Sequence, residues 1–149
     1  MIAPTSVDTN LSQLLEEVSS GKIQLPEFQR SWTWDDNRIQ GIIASLSQGY
    51  PMGAVMRLQY GNPDIKFKYR PIEGVSGISV MPEHLVLDGQ HDGLKRVTSI
   101  YQAVISEKCL KTMNDKEKKI ERFYYLEIEK CMDESVDRAD AVIAVPADR

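Results

Sequence analysis

The sequence predicts an α+β domain, a small mixed sheet with helices packed on it. Three observations carry that expectation. Segments 54–60, 65–70 and 123–129 alternate apolar and polar residues with the period of a half-buried strand. Segments 11–18, 39–46 and 94–104 space their apolar residues at helical intervals. Between 85 and 101 one pattern gives way to the other across a turn. Leu85-Val86-Leu87 is an apolar strand and Asp88-Gly89 breaks it. Leu94, Val97, Tyr101 and Val104 then follow at helical spacing, with Ile100 beside them.

In chain order, Asn10-Leu11-Ser12-Gln13 reads as a helix start, with Asn10 as cap and Gln13 reaching back. Leu11, Leu14, Leu15 and Val18 form its apolar face, and Gly21 is a C-terminal cap. Residues 23–34 are extended or irregular, because Pro26 lacks a donor and disfavours helix just before it. Thr33-Trp34-Asp35-Asp36 repeats the capping-box logic and opens a second helix with Ile39, Ile42, Ile43 and Leu46 inward; Gly49 and Pro51 end it. Segments 54–60 and 65–70, joined by Gly61-Asn62-Pro63-Asp64, read as a hairpin. In its second strand Ile65, Phe67 and Tyr69 lie on one side and Lys66, Lys68 and Arg70 on the other. Residues 71–83 form a loop, and the strand, turn and helix of 85–104 follow. Segment 111–122 has mixed charge and no apolar face, as an exposed connection does. In 123–129 Tyr124, Leu126 and Ile128 point inward, and Tyr125, Glu127 and Glu129 outward. Residues 133–140 are a loop or short helix, and 141–145 a last strand. The chain stops directly after it, as a fragment cut near a domain edge would.

With 149 residues the chain can build one domain with a real core. Chains that bind duplex DNA over a broad face are usually basic, whereas this one has a net charge of −4, so a nucleic-acid contact needs a local patch or a partner. Cys109 and Cys131 lie far apart, and His84 and His91 add no metal spacing, which argues against zinc. Free thiols fit a cytoplasmic protein. There is no signal-peptide pattern and no apolar run of membrane-span length.

The turn at 88–95 is the first candidate site. A strand, a glycine turn and a helix start aim free backbone N–H groups and the positive end of a helix dipole at one point, where a phosphate can sit. Lys95 and Arg96 add cations there. Neither G-x-x-x-x-G-K-S/T nor G-x-G-x-x-G occurs, so this is not a P-loop or a Rossmann fingerprint. The second candidate is Gln29-Arg30-Ser31-Trp32-Thr33-Trp34, which holds both tryptophans of the chain. It reads either as a loop whose indoles cover the core or as a ligand wall where Arg30 meets a phosphate or a ring. The row Lys66, Lys68 and Arg70 is either a cationic strip or a solvated face.

Three blocks, in this order, resemble one family. They are Leu25-Pro26-Glu27-Phe28-Gln29-Arg30-Ser31-Trp32-Thr33-Trp34, Tyr50-Pro51-Met52-Gly53-Ala54, and Leu87-Asp88-Gly89-Gln90 followed by Arg96-Val97-Thr98-Ser99-Ile100-Tyr101. The last is similar to a D-G-Q-Q-R-L/V-T-S-L/I-Y block. Together they resemble the N-terminal, ParB/sulfiredoxin-like domain of the GmrSD-type, modification-dependent restriction proteins, over nearly the whole chain.

The resemblance implies a ParB/sulfiredoxin-like fold and an NTPase or sensor domain over 1–149, the N-terminal part of a longer protein. It implies binding of NTP with magnesium and sensing of modified phage DNA, with glucosylated bases or phosphorothioate links. It also implies a partner nuclease, in a C-terminal or separate domain and commonly of H-N-H type. No cutting centre and no membrane contact are expected in these residues, and homo-oligomerisation stays open. On this reading Gly89 and Gln90 cradle phosphates, Arg96 pairs with a phosphate oxygen, and Asp88 holds magnesium or orients water. Gln29 and Arg30 close the opposite wall. Trp32, Lys66 and Lys68 are the candidate DNA contacts.

The sequence departs from the family at one place. His91-Asp92-Gly93-Leu94-Lys95 separates Gln90 from Arg96. Either His91 replaces the second glutamine and Asp92 falls at the arginine position, or the turn carries an insertion and Arg96 keeps its role. We prefer the second, because Val97-Thr98-Ser99-Ile100-Tyr101 continues the block directly after Arg96. Asp92 then caps the helix, but its charge opposes anion binding. A DNA-binding or partner-docking module with a degenerate pocket is therefore the alternative. A sulfiredoxin-like redox step needs a cysteine in the phosphate turn, where neither Cys109 nor Cys131 lies.

Overall fold

The computed structural model describes residues 5–29, 35–50, 55–61, 67–87 and 96–148. Helix α1 (Leu11–Ser20) starts at Asn10, whose Oδ1 accepts from the Ser12 N–H at 2.8 Å. Gln13 turns outward to Glu17 instead of back to the cap, so half of the expected capping box is absent. Gly21 ends the helix in the left-handed conformation, φ 82°. A side chain there would also run into Ile78 and Val80, so glycine is needed twice over.

Strand β1 (Ile23–Pro26) is buried along its whole length. Of the extended or irregular path expected for this stretch, the extended form holds here, and β1 lies inside the sheet. Pro26 is tolerated because it is the strand's last residue. Helix α2 (Asp36–Ser47) is capped by Asp35, which accepts from the Arg38 N–H at 2.8 Å. It buries Ile39, Ile42 and Ile43 as expected. Strands β2 (Met56–Gln59), β3 (Tyr69–Arg70) and β4 (His84–Leu87) complete a mixed sheet of order β2-β4-β1-β3. β1 and β4 are parallel, while β2 and β3 pair antiparallel on the two flanks.

That order overturns the hairpin. β2 and β3 sit at opposite edges, because alternation marks a strand but does not name its partner. Met56, Phe67 and Tyr69 are exposed and Arg70 is half-buried.

Helix α3 (Arg96–Ile100) runs on into a π-helical turn, Tyr101–Ile105, closed by Ser106 N–H to the Tyr101 carbonyl at 3.0 Å. The wider turn rotates later side chains off the helical stripe. Val97, Ile100 and Tyr101 are buried, but Val104, expected on the same face, is 53% exposed.

The expected single sheet is joined by a second. Strands β5 (Leu110–Met113), β6 (Lys119–Leu126) and β7 (Val142–Pro146) form an antiparallel sheet in that order. The mixed-charge connection at 111–122 is therefore largely a hairpin, with Leu110 and Thr112 buried. Its turn is made by Asn114, whose Oδ1 accepts from the N–H groups of Lys116 and Lys118, both at 3.0 Å. β6 stops at Leu126, and a short helix α4 (Ile128–Met132) follows. Leu126 and Ile128 are exposed, so only Tyr124 of the expected inward trio faces the protein. A 3-10 turn, Arg138–Ala141, leads into β7, in line with the short-helix expectation.

One apolar cluster spans both sheets. Leu15, Val18, Ile23, Leu25, Ile39 and Ile42 pack with Val86, Val97, Leu110 and Val142. Beyond the core, the Tyr124 hydroxyl donates to the Asp36 carboxylate, and Asp35 pairs with Met113. Both ties fasten the start of α2 to the second sheet.

Candidate functional site

The parallel pairing of β1 and β4 sets the geometry of the site. Ile23 lies opposite His84 and Gln24 opposite Leu85, so the two strands end side by side at Pro26 and Leu87. Each leads to a helix, β1 to α2 and β4 to α3, and those helices touch. In sheets with parallel strands, ligands sit outside the carboxyl ends of the strands. Two of the candidate blocks therefore leave the sheet at one end, from neighbouring strands.

Of the sequence-predicted site residues, Gln29, Lys68 and Arg96 fall within the described residues. Asp88, Gly89, Gln90, Arg30, Trp32 and Lys66 lie outside them. Arg96 is the first residue of α3 and is half-buried. Behind it Val97, Thr98, Ser99 and Ile100 are all buried, which fixes the helix start against the core. Gln29 is half-buried in the turn that closes β1, its N–H donating to the Pro26 carbonyl at 3.1 Å. Lys68 is exposed, and its carbonyl accepts from the Glu27 N–H at 2.8 Å.

A relay missed at the sequence level holds this turn. The Arg70 guanidinium donates to the Gln29 carbonyl at 2.9 Å and to the Glu73 carboxylate at 3.2 Å. Glu73 in turn presents its carbonyl to the Gln102 amide at 2.7 Å, on the π-helical turn after α3. Gly74, at φ 101°, lies against that amide; a Cβ there would approach it to 3.0 Å. The relay thus links the turn after β1 to the helix after β4. Arg70 sits in a basic row that reads equally well as a solvated face, and the only hint of its role is Glu73 three residues on. Glu73, Gly74 and Gln102 also border a groove of about 1150 Å³ against the β5–β6 hairpin, whose lining includes Lys108, Lys111, Lys119, Glu107 and Glu121.

Burial pushes the Tyr124 hydroxyl pKa up, and its hydrogen bond to Asp36 pushes it further. This phenol stays protonated and holds the α2 start. Among the described residues, no group of three or more His, Cys, Asp or Glu could hold a metal, and both cysteines are free thiols. No helix among them is long and apolar enough to cross a membrane.

The family described as GmrSD restriction endonuclease, N-terminal domain, matches residues 11–142. The chain belongs to this family. The matched span of this GmrSD-type domain runs from the first residue of α1 to the first of β7, so the four-stranded sheet and the β5–β6 hairpin lie within it. The chain is also 29% identical over 102 residues to an uncharacterized protein of Methanocaldococcus jannaschii. That match covers 65% of this chain and 17% of the relative's length.

Proposed function

We propose that this chain is the nucleotide-binding sensor domain of a modification-dependent restriction and phage-defence system, licensing a nuclease outside these residues. Family membership supports the restriction role. The observation that supports the nucleotide site is the parallel β1–β4 pair, whose strands end side by side at Pro26 and Leu87 and lead on in the chain to the Gln29 turn and to the helix that Arg96 starts. We read the four-stranded sheet with its two strand-to-helix crossings as the ParB/sulfiredoxin-like element of the domain.

In this proposal the N–H groups of Gly89 and Gln90 cradle the phosphates. Arg96 pairs with a phosphate oxygen and stabilises charge in the transition state. Gln29 and Arg30 close the facing wall, and Arg70 positions Gln29 through its carbonyl. Asp88 with the substrate's own phosphates fits the donor set that magnesium takes, one or two carboxylates plus phosphate oxygens. The bound ion would neutralise charge on those phosphates. Cytoplasmic placement goes with this role, as do the two free thiols.

The experiment is a thermal-shift and hydrolysis panel of the four NTPs with magnesium. Removal of one charge-assisted donor costs roughly 10²–10³-fold in turnover, and Arg96→Ala should lose that much. Unchanged hydrolysis in a folded Arg96→Ala protein removes Arg96 from the mechanism. One feature favours a second reading, a binding module without catalysis: the segment His91-Asp92-Gly93-Leu94-Lys95 inserts an acid, Asp92, into the sequence between Gln90 and Arg96. A nucleotide-induced shift without phosphate release supports that reading.

A further inference from the structure

The end of β1 carries an exposed aromatic pair. Leu25 pairs with Arg70 and Pro26 with Tyr69, and the Glu27 N–H to Lys68 carbonyl bond carries that antiparallel register one step further. The next opposed positions are Phe28 and Phe67. Their rings meet edge to face, 5.3 Å between centroids, with Phe28 66% and Phe67 42% exposed. Tyr69, also exposed, meets Tyr60 in the same geometry at 5.3 Å. Lys68 lies beside Phe67 and is open to solvent. Phe28 directly precedes Gln29, whose carbonyl Arg70 holds.

Two large apolar rings left in water at a sheet corner call for a partner. The pair is held by strand register, so it is a preformed surface with little freedom to lose on binding. We propose that Phe28 and Phe67 form a stacking platform for an unpaired base of DNA, next to the nucleotide site. The proposal rests on the DNA-sensor reading above. A base offers a π-face that exposed aromatic rings accept whatever the sequence. Such a platform needs no broad basic face, which a chain of net charge −4 does not offer. It also fits enzymes and sensors that read a modified base after taking it out of the stack.

The test is binding of a fluorescent single-stranded oligonucleotide and of the same sequence as duplex, at low salt. The platform predicts tighter binding of the single strand. Phe28→Ala and Phe67→Ala should each weaken it by roughly 5- to 150-fold, with Phe28→Tyr near wild type. Both side chains are exposed, so the melting temperature should change little, and nucleotide-induced stabilisation should persist in both variants. If wild type binds DNA and both alanine variants bind equally well, the platform is overturned and the sensor reading stands. If wild type binds no DNA in either form, the platform is overturned, and the sensor reading stands or falls on the nucleotide panel above. If wild type self-associates and the alanine variants do not, the rings serve a second copy of the chain, which also overturns the proposal.

Discussion

Tyr124→Phe tests how the two sheets are joined. The substitution removes one hydroxyl and leaves the ring, so the packing of β6 is kept. What is lost is the hydrogen bond to Asp36 in the first turn of α2. A hydrogen bond to a charged acceptor contributes about 1.5–3 kcal/mol when well buried. Asp36 is half-buried and recovers water once the hydroxyl is gone, which lowers the expected cost to about 1–1.5 kcal/mol. For 149 residues that is about 2–6 °C in Tm.

The effect has a pH signature with a defined sign. Burial first, and the Asp36 bond second, raise the Tyr124 pKa in the folded state. A group with a raised folded pKa contributes stability that is complete below its unfolded pKa, about 10 for tyrosine, and is lost as pH climbs above it. The phenylalanine variant has no such contribution to lose. The stability gap between the two proteins is therefore constant near neutrality and narrows above pH 10. Solvent screening of a half-exposed site limits the narrowing to at most about 1 kcal/mol per pH unit. Urea unfolding of both proteins from pH 7 to pH 11 measures it. A variant as stable as wild type at pH 7, or a gap that stays flat to pH 11, refutes the reasoning.

Asn10→Ala should cost about 0.5–2 kcal/mol in chemical denaturation, because the Ser12 N–H loses its cap. Gly21→Ala should cost about 1–3 kcal/mol, since it forces a side chain into a left-handed residue and against Ile78 and Val80. Arg70→Met should weaken nucleotide affinity about tenfold, or about 1.4 kcal/mol, by freeing the Gln29 carbonyl. Arg70→Lys should not restore it, because one ammonium cannot reproduce the fork between Gln29 and Glu73. Nucleotide titrations followed by thermal shift read both.

The helices and their faces were legible wherever a cap and a helical stripe coincided, as in α1 with Asn10 and Gly21 or α2 with Ile39, Ile42 and Ile43. β4 and β7 showed as short apolar runs. Pairing was not legible. β2 and β3 alternate like the arms of a hairpin, yet their register partners, β4 and β1, lie elsewhere in the chain. β5 was hidden because its inward residues are only Leu110 and Thr112, set among charges that suit an open sheet face as well as a loop. The π-helical turn leaves no mark in hydropathy, so helical spacing alone points Val104 inward although it is exposed. At the candidate site, the blocks that end β1 and begin α3 were visible from residue type. The Arg70–Glu73–Gln102 relay was not, because long-range contacts between polar side chains carry no period.

The central claim is that the turn after β1 and the helix after β4 serve one ligand. A double-mutant cycle on nucleotide affinity, with Gln29→Ala, Arg96→Ala and the double variant, tests it most directly. A shared ligand predicts a coupling of about 0.5–3 kcal/mol. Losses that add to within about 0.3–0.5 kcal/mol would mean that the two segments act at separate places, which contradicts the account.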